Sequence, residues 1–170
     1  EIQRALDASG NAESYVRVIV TRGSGPLGLD TEFEAKPLRA VIVAPLAPPA
    51  PELYQQGIHV VTFRTQRVAE ATDAAGTKVG NYLVAVLAMR KARALGASEA
   101  LILDKAGNVV EGASSNVFAV RDGCLITPPE EAGILPGITR SVLLGVAADL
   151  GVRVELRALP LAEVLAADEV

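Results

Sequence analysis

Three short stretches of this chain hold residue types that could do chemistry. In TKVGNYL, Lys78 stands where a loop gives way to an apolar run, beside Gly80, Asn81 and Tyr82. An amine at the rim of a partly desolvated pocket can attack an aldehyde, and Gly80 would let backbone or ligand approach closely. In VVEGASSNVFAV, Glu111 precedes a cluster of small polar residues. Its carboxylate could face a buried cation, with Ser114, Ser115 and Asn116 arranged as donors. LPGITR opens a helix from about Gly137, whose unpaired N–H groups and positive dipole end suit an anion. Thr139 adds a hydroxyl there. Each stretch also has a plainer reading, which is preferred when the stretch is taken singly. Lys78 can be a solvated loop charge, GASSN an ordinary turn, and LPGIT a helix start with Pro136 and Thr139 in their usual end positions.

Together the three describe one ligand. An amine for an aldehyde, a carboxylate for a ring cation and a helix N-terminus for a phosphate are what pyridoxal phosphate needs.

The elements that must position them follow from pattern. YVRVIVT (15–21) reads as a strand, and RGSGPLGLD after it as a loop. LRAVIVAPL (38–46) is almost unbroken apolar sequence, which predicts a strand buried on both faces. The proline-rich APPAPELYQQG (47–57) separates the remainder of a small N-terminal domain (1–46) from a larger domain (58–170). In that larger part IHVVTFR and EALILD are strands, and DKAGN turns into VVEG. SNVFAV and CLIT pair across Arg121–Asp122–Gly123, since Asp-Gly suits a tight hairpin turn. One helix runs from about Gly80 to Leu95, with Leu83, Val86, Leu87 and Arg90 on one face and Gly96 as its stop. A second starts near Gly137, with Ile138, Val142, Leu143, Val146 and Leu150 on one face and Gly151 as its cap. VRVELRAL is a strand and LAEVLAAD a short helix. Strands and helices mix without strict alternation, so the class is α/β or α+β with a mixed sheet.

Composition narrows the choice of function. The 170 residues carry a net charge of −4 and no tryptophan, so a nucleic-acid footprint is not expected. One cysteine, Cys124, and one histidine, His59, leave no internal disulfide and no metal site of the usual His/Cys kind. No apolar run is long enough to cross a bilayer, and a cytoplasmic protein is expected. The start at EIQRAL, without methionine, and the end at ADEV read as a piece of a longer protein.

The run through TKVGNYL, EALILD, VVEGASSNVFAV, DGCLITPP and ILPGITR closely resembles the class IV aminotransferases, the fold type IV pyridoxal-phosphate enzymes. The resemblance covers roughly Tyr15 to Val170, in order, and EG-x-x-SN-x-F with LPGITR is its most specific part. It implies a large mixed-sheet cofactor domain plus part of a smaller α/β domain, in a homodimer. It implies that Lys78 forms the internal aldimine and shuttles protons, that Tyr82 bonds the cofactor's phenolic oxygen, and that Glu111 pairs with the pyridine nitrogen. Ile138 and Thr139 would hold the phosphate, and Ser115 and Asn116 would lie with Ser114 in the wall of the site. The link KVGNY is one residue shorter than branched-chain enzymes commonly have between lysine and tyrosine.

Within the family, Tyr15 and Arg17 resemble the Y-x-R of branched-chain aminotransferases, a pair that helps hold substrate carboxylates. D-Amino acid enzymes carry an arginine and a histidine where Leu27 and Leu29 stand, and leucine cannot trap a carboxylate. The reading implied is transfer of an amino group between an apolar, branched-chain-like L-amino acid and 2-oxoglutarate, small-molecule partners only. Aminodeoxychorismate lyase is the alternative within the family. A non-catalytic or truncated homologue serving as a dimerisation or binding module is the alternative outside it. The family's phosphate-binding arginine lies upstream of these residues, and a second phosphate and carboxylate loop downstream of them.

Overall fold

The computed structural model describes residues 1–28, 32, 34–65, 78 and 80–170. The chain divides into two compact units, Glu1–Gln55 and Gln56–Val170.

In the first unit, helix α1 (Ile2–Ser9) packs on an antiparallel ribbon of β1 (Ser14–Thr21) and β2 (Leu38–Pro45). The register sets Tyr15 opposite Ala44 and Arg17 opposite Ile42, so Tyr15 and Arg17 share one face of β1. The apolar run at 38–46 is a strand, as expected, but no residue of β2 is buried. A two-stranded ribbon covered by one short helix has too little surface around it to bury a strand on both faces. A single turn, α2 (Leu53–Gln56), follows the prolines. Leu29, one of the two leucines set against the D-amino acid pattern, lies outside the described residues; Leu27 is fully exposed.

Among its described residues the second unit contains two sheets. Strand β3 (Val60–Arg64) runs parallel to β4 (Glu99–Leu103), and helix α3 (Leu83–Ala94) lies between them in sequence and packs on both. β4 turns back into β5 (Asn108–Gly112). A second hairpin, β6 (Ala119–Arg121) with β7 (Cys124–Thr127), turns at Asp122 and Gly123, both with positive φ. That is the backbone a two-residue Asp-Gly turn requires. Helix α4 (Ile138–Asp149) then crosses to β8 (Arg153–Leu156), parallel to β7. The two-residue β9 (Leu159–Pro160) closes the first sheet against β5, and α5 (Leu161–Leu165) follows. The described strands thus run β3-β4-β5-β9 and β6-β7-β8. Leu101, Leu103, Val109, Ile126 and Leu159 anchor the core that joins the two sheets. Past β8, Arg157 binds Glu163 on α5 and Glu155, ion pairs that raise the guanidinium pKa and lower both carboxyls.

Both long helices form where the sequence places them, and both end as expected. Gly96 and Gly151 take positive φ. Ala97 N–H reaches back to the Ala92 carbonyl, and Val152 N–H to that of Ala147, closing the last turns. The buried residues, however, lie off the apolar stripes. On α3 the residues against the sheet are Ala88 and Ala92, whereas Leu83, Val86 and Leu87 are exposed. On α4 they are Arg140 and Ala147, whereas Ile138, Val142, Leu143, Val146 and Leu150 are exposed. The reason is steric on α3, where Ala88 and Ala92 meet Ala97, Ala100 and Ile102 in a second core cluster. Small side chains on both surfaces let helix and sheet approach closely. The large apolar stripes face the other way.

The β4–β5 turn is closed by Asp104 and Asn108, and the ladder shifts register between it and the Ile102–Glu111 pair. Asn108 donates its N–H to Asp104 Oδ1 at 2.8 Å and its Nδ2–H to Oδ2 at 2.9 Å. Burial pushes the Asp104 carboxyl up, but the bonds from Asn108, Ala106 and Gly107 outweigh it and hold the pKa below its usual value. A carboxylate lowered on folding stabilises the fold above its unfolded pKa, about 4, and loses that contribution as pH falls through the native value. Asp104→Asn should therefore be less stable than wild type at neutral pH, with the gap in urea midpoint closing under acid. A gap of constant size from pH 7 to pH 3 would contradict this origin.

Candidate active site

Glu111 sits near the end of β5, opposite Ile102 of β4, and is half-buried. After it the chain folds into a tight turn in which Gly112 N–H donates to the Ser115 carbonyl at 2.7 Å. Glycine leaves room for Ser115 as it stands, since a Cβ at 112 would lie 2.2 Å from its Oγ and 3.3 Å from its carbonyl oxygen. Two side chains flank this turn, and both reach the backbone of one residue, Leu135, on its two sides. Leu135 N–H donates to Glu111 Oε2 at 3.0 Å, and Asn116 Nδ2–H donates to the Leu135 carbonyl at 2.9 Å.

Leu135 leads through Pro136 and Gly137 into α4. The first intrahelical bond is Ser141 N–H to the Gly137 carbonyl at 3.0 Å. The N–H groups of Ile138, Thr139 and Arg140 precede it and so have no acceptor within the helix. Ile138 and Thr139 are both exposed. A cleft of about 380 Å³ borders this helix start, lined by Glu130, Gly137, Ile138, Arg140 and Ser141. Lys78, Glu111 and Thr139 do not line it.

Two features fix this corner, and neither shows in the sequence as a site. The first is Leu135, which acts through its backbone alone. The second is Arg140, 4% exposed, whose guanidinium donates to the Pro128 carbonyl at 3.0 Å and meets Glu130 at 3.5 Å. Its Nε is buried without a hydrogen-bond partner among the described residues. Arg140 ties the first turn of α4 to the segment that follows β7; its only signal in sequence is the last letter of LPGITR.

Lys78 and Tyr82 meet each other. Lys78 is exposed, with Nζ 5.8 Å from the centre of the Tyr82 ring, within cation–π range. Tyr82 is the residue before α3, and its N–H donates to the Gly80 carbonyl at 3.2 Å. Of the remaining candidates, Ser115 Oγ and Asn116 Nδ2 are engaged within the protein. Tyr15 and Arg17 stand on β1 of the first unit.

Gly137 gives a direct test of the Asn116 link. Its backbone (φ −69°, ψ 142°) suits any residue, but an added Cβ would lie 2.1 Å from Asn116 Oδ1. Gly137→Ala must therefore push Asn116 off Leu135, at about 1–3 kcal/mol from crowding and a lost hydrogen bond. In an Asn116→Ala background the same change should cost little, a coupling that a double-mutant cycle of urea midpoints measures. Additive costs would show that the two sites act independently.

The residues present suit the three parts of a pyridoxal phosphate: an exposed amine, a fixed carboxylate and an open helix start with a hydroxyl. Comparison with known proteins gives the family. The family model for amino-transferase class IV matches residues 1–170. A branched-chain-amino-acid aminotransferase of Salmonella typhimurium is 39% identical over 166 residues, covering 92% of this chain and 52% of that protein. Among solved structures, the branched-chain amino acid aminotransferase of Escherichia coli superposes at TM-score 0.87 and 30% identity. The match covers 98% of this chain and 56% of that one. A 4-amino-4-deoxychorismate lyase from Pseudomonas aeruginosa superposes at TM-score 0.76 and 36% identity, covering 90% and 56%. The chain thus spans about half the length of the curated relative it matches. With the whole of it matched, the chain belongs to the class IV aminotransferase family.

Proposed function

We propose that this chain is the pyridoxal-phosphate-binding part of an aminotransferase acting between a branched-chain-like L-amino acid and 2-oxoglutarate. The observation that carries the proposal is the Leu135 backbone, whose N–H donates to Glu111 and whose carbonyl accepts from Asn116. It makes one rigid piece of the carboxylate and the helix start, the two groups that would meet opposite ends of the cofactor.

Each residue's work follows from its chemistry. The Lys78 amine would hold the cofactor's aldehyde carbon, then take and return the proton at the substrate Cα. Tyr82, beside that amine, would donate to the cofactor's phenolic oxygen. Glu111 would keep the ring nitrogen protonated, since a carboxylate stabilises a cation it faces. Ile138 N–H and the Thr139 N–H and hydroxyl would take the phosphate at the positive end of α4. The Ser115–Asn116 turn would wall the site, and Tyr15 and Arg17 would receive the substrate carboxylate. When bound, pyridoxal phosphate withdraws electron density from the substrate Cα.

The lyase reading is kept because the Pseudomonas lyase matches over most of this chain. Offered leucine with 2-oxoglutarate, the full-length protein should yield glutamate and a branched 2-oxo acid. Pyruvate from aminodeoxychorismate with no product from leucine would replace the transaminase by the lyase.

A further inference from the structure

Glu99 opens β4 and is 9% exposed. A carboxylate that deep costs several kcal/mol unless its oxygens are bonded. Here both are. Oε1 accepts the N–H groups of Ala100 at 2.8 Å and Ala113 at 3.2 Å. Oε2 accepts the hydroxyls of Ser114 at 2.7 Å and Ser115 at 3.2 Å. Among the described residues no cation pairs with it. Three of its four donors thus come from consecutive residues of one turn, the turn that separates Glu111 from Asn116.

Glycine at position 112 leaves Ser115 Oγ free to reach the carboxylate. A Cβ there would lie 2.2 Å from Ser115 Oγ and 3.4 Å from Glu99 Cδ, filling the space through which serine and carboxylate meet. Ser114 and Ser115 are exposed, so water could satisfy both hydroxyls if Glu99 were absent. The carboxylate is therefore not needed to satisfy them. What it does is remove their freedom, and with it the freedom of the residues on either side.

We infer that Glu99 is a positioning residue for the cofactor site: it clamps residues 113–115 so that Glu111 and Asn116 together hold the backbone of Leu135 on its two sides. Through that residue it sets where the α4 start lies relative to the Glu111 carboxylate. The inference rests on the pyridoxal-phosphate reading above, and deepens it by adding a residue that touches neither cofactor nor substrate.

The test is cofactor affinity, measured by titrating pyridoxal phosphate into the apo form of the full-length protein. Glu99→Ala should weaken binding about tenfold or more, the scale on which outer-layer hydrogen bonds act around a bound group. Glu99→Gln should come within a few-fold of wild type. Its Oε1 can keep both backbone N–H groups, while its Nε2 faces hydroxyls that rotate to accept. If Glu99→Ala does not fold, the Ser114→Ala/Ser115→Ala double variant removes two donors and keeps the backbone bonds. It should weaken binding in the same direction, by less, at a near wild-type melting temperature. Wild-type affinity in whichever of these variants folds overturns the inference, as does a glutamine variant no better than alanine. A wild-type protein that binds no pyridoxal phosphate sinks the functional reading and this role with it. Wild-type binding with unchanged affinity in Glu99→Ala sinks this role alone.

Discussion

Replacing Lys78 by alanine is expected to abolish transamination while leaving the fold intact. The side chain is exposed, and its described contact is with the Tyr82 ring. Its removal therefore opens no cavity in the core, and the melting temperature should stay within about a degree or two, as for surface substitutions. Activity should fall far more. Loss of the positioned proton carrier alone is worth roughly 10²–10⁴-fold, and loss of the covalent anchor adds to it. Added primary amines should restore part of the rate, since they supply the base but not its placement. If Lys78→Ala keeps its rate, another group does the chemistry.

The second large effect belongs to Glu111, where charge and hydrogen bonding can be separated. Glu111→Gln keeps an oxygen to accept Leu135 N–H, so the grip on that peptide survives. What it loses is the negative charge that would hold a ring nitrogen protonated. Removing one fixed electrostatic partner of developing charge costs roughly 10²–10³-fold in kcat, and that is the fall expected for Gln. Glu111→Ala should show the same loss in kcat together with lower stability, by about 1 kcal/mol for a half-buried N–H that loses its acceptor. A Gln variant with wild-type kcat would mean that Glu111 serves the fold alone.

The order of elements was legible because periodicity and punctuation agree along this chain. Gly96 and Gly151 stop the helices, and Asp122–Gly123 makes the turn it suggests. Helix faces were not legible from the same signal. Counting large apolar residues selects Leu83, Val86 and Leu87, but contact with a sheet is set by what can come close, and Ala88 and Ala92 can. The apolar run of β2 misled in a similar way. Hydrophobicity states what a strand could bury, while burial depends on neighbours that a two-stranded ribbon lacks.

At the site, chemistry-bearing side chains could be picked out, but their supports could not. Glu111 and Asn116 stand out as polar residues around a glycine turn, yet nothing marks Leu135 as the residue whose backbone they share. A backbone N–H and carbonyl look alike at every leucine. Glu99 is equally silent, since a glutamate at the edge of a strand reads as a solvated charge. Only the turn folding over it shows both oxygens occupied.

The central claim is that Lys78 holds pyridoxal phosphate, and it can be read directly. The full-length protein, purified with the cofactor, should be yellow and should bleach on treatment with borohydride. Proteolysis should then place the phosphopyridoxyl label on Lys78. A protein that takes up no cofactor, or a label on any other lysine, would contradict the account.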